Sequence, residues 1–547
     1  MCVATALDQQ TTASLASFAT SAFHSHSQLS TVAVVGNILN AVMQPPIAKV
    51  SDVFGRGEAF ALALALYVVG AAATAASGSI AAYAVAKVFD AAGNTGLRML
   101  QQVFIADTSD LLNRALMSSL PDVPFLGAVW IGPAIGGPLG TRGLWRWGYG
   151  VWAVVTPVFS LPLFWSLWAN ERKARRGGGG GGGGGEIAYP WLGRGWWRGA
   201  RCLAVELDLG GMVLLTAGFA LLLAPLTLAG TDWGRPALVA CFAAGALALA
   251  GFPLWEARAP HPIVRFALFT NRTVVAGCVL GFFYFMAFFL SVQPYFFSYL
   301  VVARGHSATA AGHIVQTFSF ACTVAVLAVG ALIKRTGVYR PFLVGGVALY
   351  TLGIGLMLRF RTAPHASTAG VVAVQVLVGV GGGFVNVPTQ LGIQASVGDG
   401  DVACATAVFL TTVSLGGAVG SAISGAVWSA LLRAKLAAYL PRENLDALEH
   451  IFGDFTVATA LPVGGAARDA VGRAYDETMR TLLTIALGVC APMWPMALCM
   501  EGLKLREVET EDKGVIIGGG GGSGRKEREG EGQLDSGDVL EEAGKEV

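Results

Sequence analysis

Runs of about 20 apolar residues, each long enough to cross a hydrocarbon core about 30 Å thick as a helix, recur thirteen times in this chain. They fall near residues 28–48, 59–77, 79–105, 115–139, 147–168, 207–228, 236–255, 273–300, 311–333, 341–358, 369–393, 402–432 and 481–500. Lipid offers a backbone no water to bond, so each run must satisfy its own N–H and C=O groups, and a helix does this within one segment. The chain is therefore predicted to be an all-α membrane protein. Composition agrees, with 54% hydrophobic and 13% charged residues against about 25% charged in a soluble domain. A net charge of +2 gives no footprint for nucleic acid. The eight cysteines stand singly, with no CxxC or CxxH pair, so zinc, redox and disulfide readings have no support. No nucleophile–base constellation points to an enzyme, and no cofactor is expected.

Residues 1–23, MCVATALDQQTTASLASFATSAF, read as the second half of a further span and the turn after it, which makes fourteen. Counting that span as the first, the loops from even to odd spans carry sixteen Lys and Arg residues: Lys49, Arg56, Arg114, seven between 172 and 201, three between 258 and 272, and three between 334 and 340. The short opposite loops carry six, namely Arg142, Arg146, Arg235, Arg304, Arg359 and Arg361. Basic loops stay in the cytoplasm, so the first set and the tail 501–547 are predicted to lie inside. This divides the chain into an N-terminal bundle 1–168, a cytoplasmic loop 169–206 holding the glycine run 177–185, two linker helices within 207–256, and a C-terminal bundle 257–500 with an exofacial loop 433–479. The tail 501–547, with its glycines 518–522 and many charges, is expected to be disordered.

Charged and polar residues inside such spans are expensive and are functional candidates by default. Asp8 and Asp90 are the two candidates for carrying a coupling proton. Asp8 can instead end its helix through local backbone bonds, and Asp90 stands three residues after Lys87, where the pair can neutralise itself. The span 273–300 is rich in aromatics, among them Tyr284 and Tyr295. These suit a bulky ligand in a mostly apolar cavity. Gln293, Gln316, Gln375, Asn386 and Gln390 are uncharged hydrogen-bonding groups in or at the ends of spans. They are candidates for the same cavity, or for bonds between helices. No His, Asp or Glu cluster with metal-ligand spacing lies within a span, so a chelate is expected as cargo rather than a bare ion. His24 and His26 sit in the first exofacial turn.

Ala48-x-x-x-Asp52-x-x-Gly55-Arg56 resembles the loop signature of the major facilitator superfamily, G-x-x-x-D-x-x-G-R, with Ala48 in place of the first glycine. Gly132, Pro133, Gly136 and Gly137 match the G-x-x-x-G-P-x-x-G-G motif of helix five in proton-coupled facilitators, where they either bend the helix or pack it. Lys87 and Gly93 align with R-x-x-Q-G-x-G, Asp90 replacing the glutamine. Longer strings narrow the resemblance: LDQQTT (7–12), FATSAFHSHS (18–27), residues 104–133, WRWGYGVWA (145–153), GFFYFMAFFLSVQPYFFSYL (281–300), LIKRTGVYRPF (332–342), VPTQLGIQASV (387–397) and AYDETMR (474–480). In these the chain is similar to fungal siderophore–iron transporters of that superfamily.

The resemblance implies the major facilitator fold: two six-helix bundles with two extra central helices, the first helix incomplete here. It implies import of ferric siderophores with protons; a monomer in a plasma or endosomal membrane is expected. It also implies a cytoplasmic latch, to which Asp52, Arg56, Asp107 and Arg114 are assigned. Because exporters share the helix-five motif, drug or glutathione export against protons is the alternative on the same fold.

Overall fold

The computed structural model of the chain describes residues 1–22, 29–108, 117, 120–177, 201, 204–205, 208–228, 236–260, 266–361, 367–398, 401–462, 464–503 and 505. Helices account for nearly all of them, and no strand occurs among the described residues. In the N-terminal half these are α1 (Cys2–Ala22), α2 (Leu29–Phe54), α3 (Arg56–Ala76), α4 (Ile80–Thr108), α5 (Phe125–Thr141) and α6 (Trp145–Gly177). Two more follow, α7 (Leu209–Leu228) and α8 (Pro236–Glu256). The C-terminal half holds α9 (Arg272–Ser291), α10 (Phe296–Val302), α11 (Ala308–Thr336), α12 (Arg340–Phe360), α13 (Thr368–Ala395), α14 (Val402–Tyr439), the short α15 (Leu448–Gly453) and α16 (Phe455–Ala460), α17 (Ala466–Val489) and α18 (Met493–Cys499). Ten stretches among the described residues are long and apolar enough to cross a membrane.

Helix ends follow local chemistry. Only Gly55 separates α2 from α3, and its φ of 108° and ψ of 161° belong to a region that is essentially glycine's alone. That explains the glycine in the loop signature. Asn271 accepts from the N–H groups of Thr273 and Val274, Ser307 from Ala310 and Ser367 from Gly370. Each side chain thereby satisfies a donor that the first helical turn leaves open.

Two boundaries differ from expectation. Residues 2–22 form one helix of 21 residues where half a span and a turn were predicted. The exofacial loop expected over 433–479 is helical at both ends, because α14 runs on to Tyr439 and α17 already begins at Ala466. Leu432, Leu436, Val471 and Tyr475 are buried along these extensions. Arg433, Lys435, Asp469 and Arg473 interrupt the apolar runs here, and a hydropathy ruler stops at such charges.

The N-terminal bundle packs Phe60, Tyr67, Leu97 and Leu100 at its centre, and the C-terminal bundle packs Tyr299, Tyr339, Tyr350 and Trp428. The bundles meet along two helix pairs, α2 with α14 and α5 with α11. The inserted pair α7–α8 stands beside the first seam: Phe219 and Leu222 pack with Val34 and Ile38 of α2 and Ala418 and Ala422 of α14. Exposed apolar residues such as Trp147, Trp165 and Leu247 leave lipid as the solvent for the outer surface.

Candidate functional site

Asp8 is 5% exposed on α1. The Tyr67 hydroxyl of α3 donates to its Oδ2 at 2.8 Å, and the same hydroxyl lies 3.1 Å from Thr156 Oγ1 of α6. Beside Tyr67, α3 is closely packed on α4. A Cβ on Gly93 of α4 would fall 2.2 Å from the Tyr67 nitrogen, and one on Gly70 2.1 Å from that of Asp90, so the two backbones touch where only glycine allows it.

Asp90 lies in the same region. Lys87 Nζ donates to its Oδ2 at 2.7 Å and Asn94 to its Oδ1 at 3.2 Å. Lys87 also stands 4.6 Å from the centroid of the Tyr149 ring, whose hydroxyl is 3.0 Å from that of Tyr83. Asp8 is within electrostatic reach of Asp90, Lys87 and Arg98. The two carboxylates thus differ chemically. Asp90 has a cation in contact, whereas the hydrogen bond to Asp8 comes from a neutral hydroxyl. The sequence reading missed Tyr67, Thr156 and Tyr149. Their signal was a hydroxyl inside an apolar run.

Lys87 and Asp90 are only 20% and 15% exposed. Removing one partner of such a pair costs about 3–5 kcal/mol, whereas removing both charges is nearly neutral. Lys87→Met and Asp90→Asn are each expected to lower the melting temperature of the purified protein, and the double variant to recover most of it. Additive losses would exclude the mutual neutralisation.

The helix-five motif lies at two contacts at once. Cβ atoms on Gly132 and Gly136 would sit 2.5 Å from Gln10 Cβ and 2.9 Å from Ser14 Cβ of α1, and one on Gly137 would sit 2.8 Å from Thr309 of α11. A Cβ on Gly312 of α11 would meet the Pro133 ring at 2.8 Å. His313 Nε2 lies 3.1 Å from the Trp130 carbonyl. Along the other seam Asn37 donates to Ser421 at 3.3 Å, Gln44 to Ser414 at 3.4 Å, and Thr411 to the Ala41 carbonyl at 3.1 Å.

The cavity candidates separate. Gln375 is 1% exposed, and neither amide atom finds a partner among the described residues. An unpaired buried amide costs about 1–3 kcal/mol. Gln293 is half-buried in the break between α9 and α10, and Asn386 and Gln390 are half-buried one turn apart on α13. Gln316 is buried on α11 and Tyr284 on α9, the latter against Tyr350. Tyr295 stacks on Trp428 at 4.1 Å and is 1% exposed inside the C-terminal core.

Arg56 donates to Ser51 at 3.1 Å. Arg114, the side chains of Asp52 and Asp107, His24, His26, the glycines 178–185 and 518–522 and nearly all of the tail lie outside the described residues.

A family model, the Major Facilitator Superfamily, matches residues 1–421. The chain is 46% identical over 519 residues to the MFS siderochrome iron transporter C of Aspergillus fumigatus, covering 93% of this chain and 84% of that protein. It is also 46% identical to the siderophore iron transporter mirC of Emericella nidulans, covering 92% and 83%. Among solved structures, the human organic anion transporter MFSD10 (TETRAN) has a TM-score of 0.50 at 12% identity, covering 89% of this chain and 99% of that one, a likeness that concerns the fold alone. The chain is therefore a multi-pass membrane protein that belongs to the Major Facilitator Superfamily, within its fungal siderophore–iron transporter family.

Proposed function

We propose that this protein imports ferric siderophores of the hydroxamate type, carried as intact chelates, together with protons. The cargo rests on the two relatives, both named for siderophore or siderochrome iron and alike over more than nine-tenths of this chain. The coupling rests on Asp8, a buried carboxylate hydrogen-bonded to Tyr67 and placed two residues from the α1–α5 contact. Protonation there changes a charge beside a packed seam, and packed seams switch between discrete arrangements. The α2–α14 and α5–α11 seams are the surfaces on which the bundles would rock in alternating access. Gln375, Gln293, Gln316, Asn386 and Gln390 supply amide donors to hydroxamate oxygens, and Tyr284 and its aromatic neighbours supply apolar wall.

Radiolabelled ferric hydroxamate uptake, measured in cells lacking their own importers, tests the reading. Saturable uptake that collapses on adding a protonophore is expected. Uptake indifferent to the protonophore refutes the coupling, and drug resistance without any uptake refutes import.

A further inference from the structure

Gln293 stands in a break: α9 ends at Ser291 and α10 begins at Phe296. A helix that ends leaves its last carbonyls without intrahelical donors. The Ser291 carbonyl is met by Arg361, which donates to it through Nη1. The same guanidinium lies 3.4 Å from the centroid of the Phe296 ring. One side chain thus grips the end of one half-helix and the start of the next.

Arg361 is 1% exposed. Among the described residues no carboxylate pairs with it and its Nε has no partner, while its remaining neighbours include the sulfurs of Met357 at 3.8 Å and Met479 at 3.5 Å. A buried charge without a counter-ion is expensive, and a well-packed apolar side chain of similar volume avoids that cost. Stability alone does not ask for a cation here. What a guanidinium does, and methionine cannot, is to donate to a carbonyl while standing as a cation over a ring.

The surrounding contacts brace the same break. The Tyr299 hydroxyl of α10 lies 2.6 Å from Asp476 Oδ1 and 2.8 Å from the Arg361 carbonyl, and Arg304 donates to both that hydroxyl and that carbonyl. Tyr475 meets Trp428 edge-on at 5.1 Å, and Trp428 holds Tyr295. Three residues of the AYDETMR string, Tyr475, Asp476 and Met479, therefore serve one purpose.

We propose that Arg361 is a positioning residue for the cargo: it fixes the angle of the α9–α10 break and thereby the direction of Gln293. This rests on reading Gln293 as a cargo contact, so the test carries a readout independent of cargo. Arg361→Met and Arg361→Lys are expected to reach the membrane at parental levels. KM for the ferric hydroxamate should rise on the order of tenfold, as for a contact displaced by a fraction of an ångström, with Vmax little changed. In a Gln293→Ala background Arg361→Met should add nothing further. A Gln293→Cys thiol, labelled from outside with a membrane-impermeant maleimide and corrected for the native cysteines, should react at a different rate once Arg361 is Met. Additive KM effects overturn the proposal, as does an unchanged labelling rate. So does loss of both variants from the membrane, because a residue needed only to aim Gln293 is dispensable for folding. Should Gln293→Ala alone leave KM unaltered, the cargo reading of Gln293 fails, while a changed labelling rate still upholds the brace.

Discussion

Asparagine in place of Asp8 is expected to abolish accumulation of the ferric chelate against its gradient while leaving downhill exchange intact. Asn matches Asp in shape, and its amide oxygen can still accept from the Tyr67 hydroxyl that now lies 2.8 Å from the carboxylate, so the α1–α3 contact survives. What disappears is the ability to carry a proton. Each proton that moves inward down about 100 mV contributes about 2.3 kcal/mol, which is about a 50-fold concentration ratio at 1.36 kcal/mol per tenfold. A variant without the coupling proton loses that factor and equilibrates the chelate instead. Steady-state accumulation and counterflow of labelled chelate, measured side by side in the same vesicles, separate the two quantities. Asp90→Asn is the comparison: its carboxylate is already engaged by Lys87 at 2.7 Å, so its loss should appear mainly as lowered stability. Asp8→Asn vesicles that still concentrate the chelate would exclude Asp8 as the proton carrier.

That contrast between two carboxylates shows where reading the sequence stops. Both stood out as charges inside apolar segments, because lipid makes every such charge conspicuous. Their partners did not. The Lys87–Asp90 pair was legible, since residues three apart share one helical face. Tyr67 is 59 positions from Asp8, on another helix, and no periodicity within α1 points to it. Some helices were legible to within a few residues, as with 236–255 against Pro236–Glu256, because hydropathy detects contact with lipid. The same property hid the end of α14 and the start of α17, where charges interrupt the apolar runs although the helices continue. Nor could it show the ring that Tyr295 stacks on, Trp428, 133 positions along the chain.

The helix-five motif allows packing to be separated from bending, and here Gly132→Ala is expected to be severe while Gly127→Ala is silent. On the same helix nothing lies within 4 Å of a Cβ built on Gly127, whereas one on Gly132 falls 2.5 Å from Gln10 Cβ and 2.7 Å from the Gln10 carbonyl carbon. Non-bonded carbons settle at about 3.5–4.0 Å, so α1 has to retreat by about 1 Å. Overpacking of this kind costs about 1–3 kcal/mol in stability. The functional loss should be larger, because Gln10 is two residues from Asp8 and a retreat of that size stretches the 2.8 Å bond from Tyr67 past hydrogen-bonding length. Uptake reduced on the order of 10- to 100-fold is then expected, with Gly127→Ala at the parental rate. Pro133→Ala completes the comparison, since it restores a backbone donor and straightens the helix without adding bulk toward Gln10. If Pro133→Ala abolishes uptake and Gly132→Ala leaves it intact, the motif acts by bending and the α1–α5 contact is incidental. The opposite pattern assigns its glycines to seating the helix that carries Asp8.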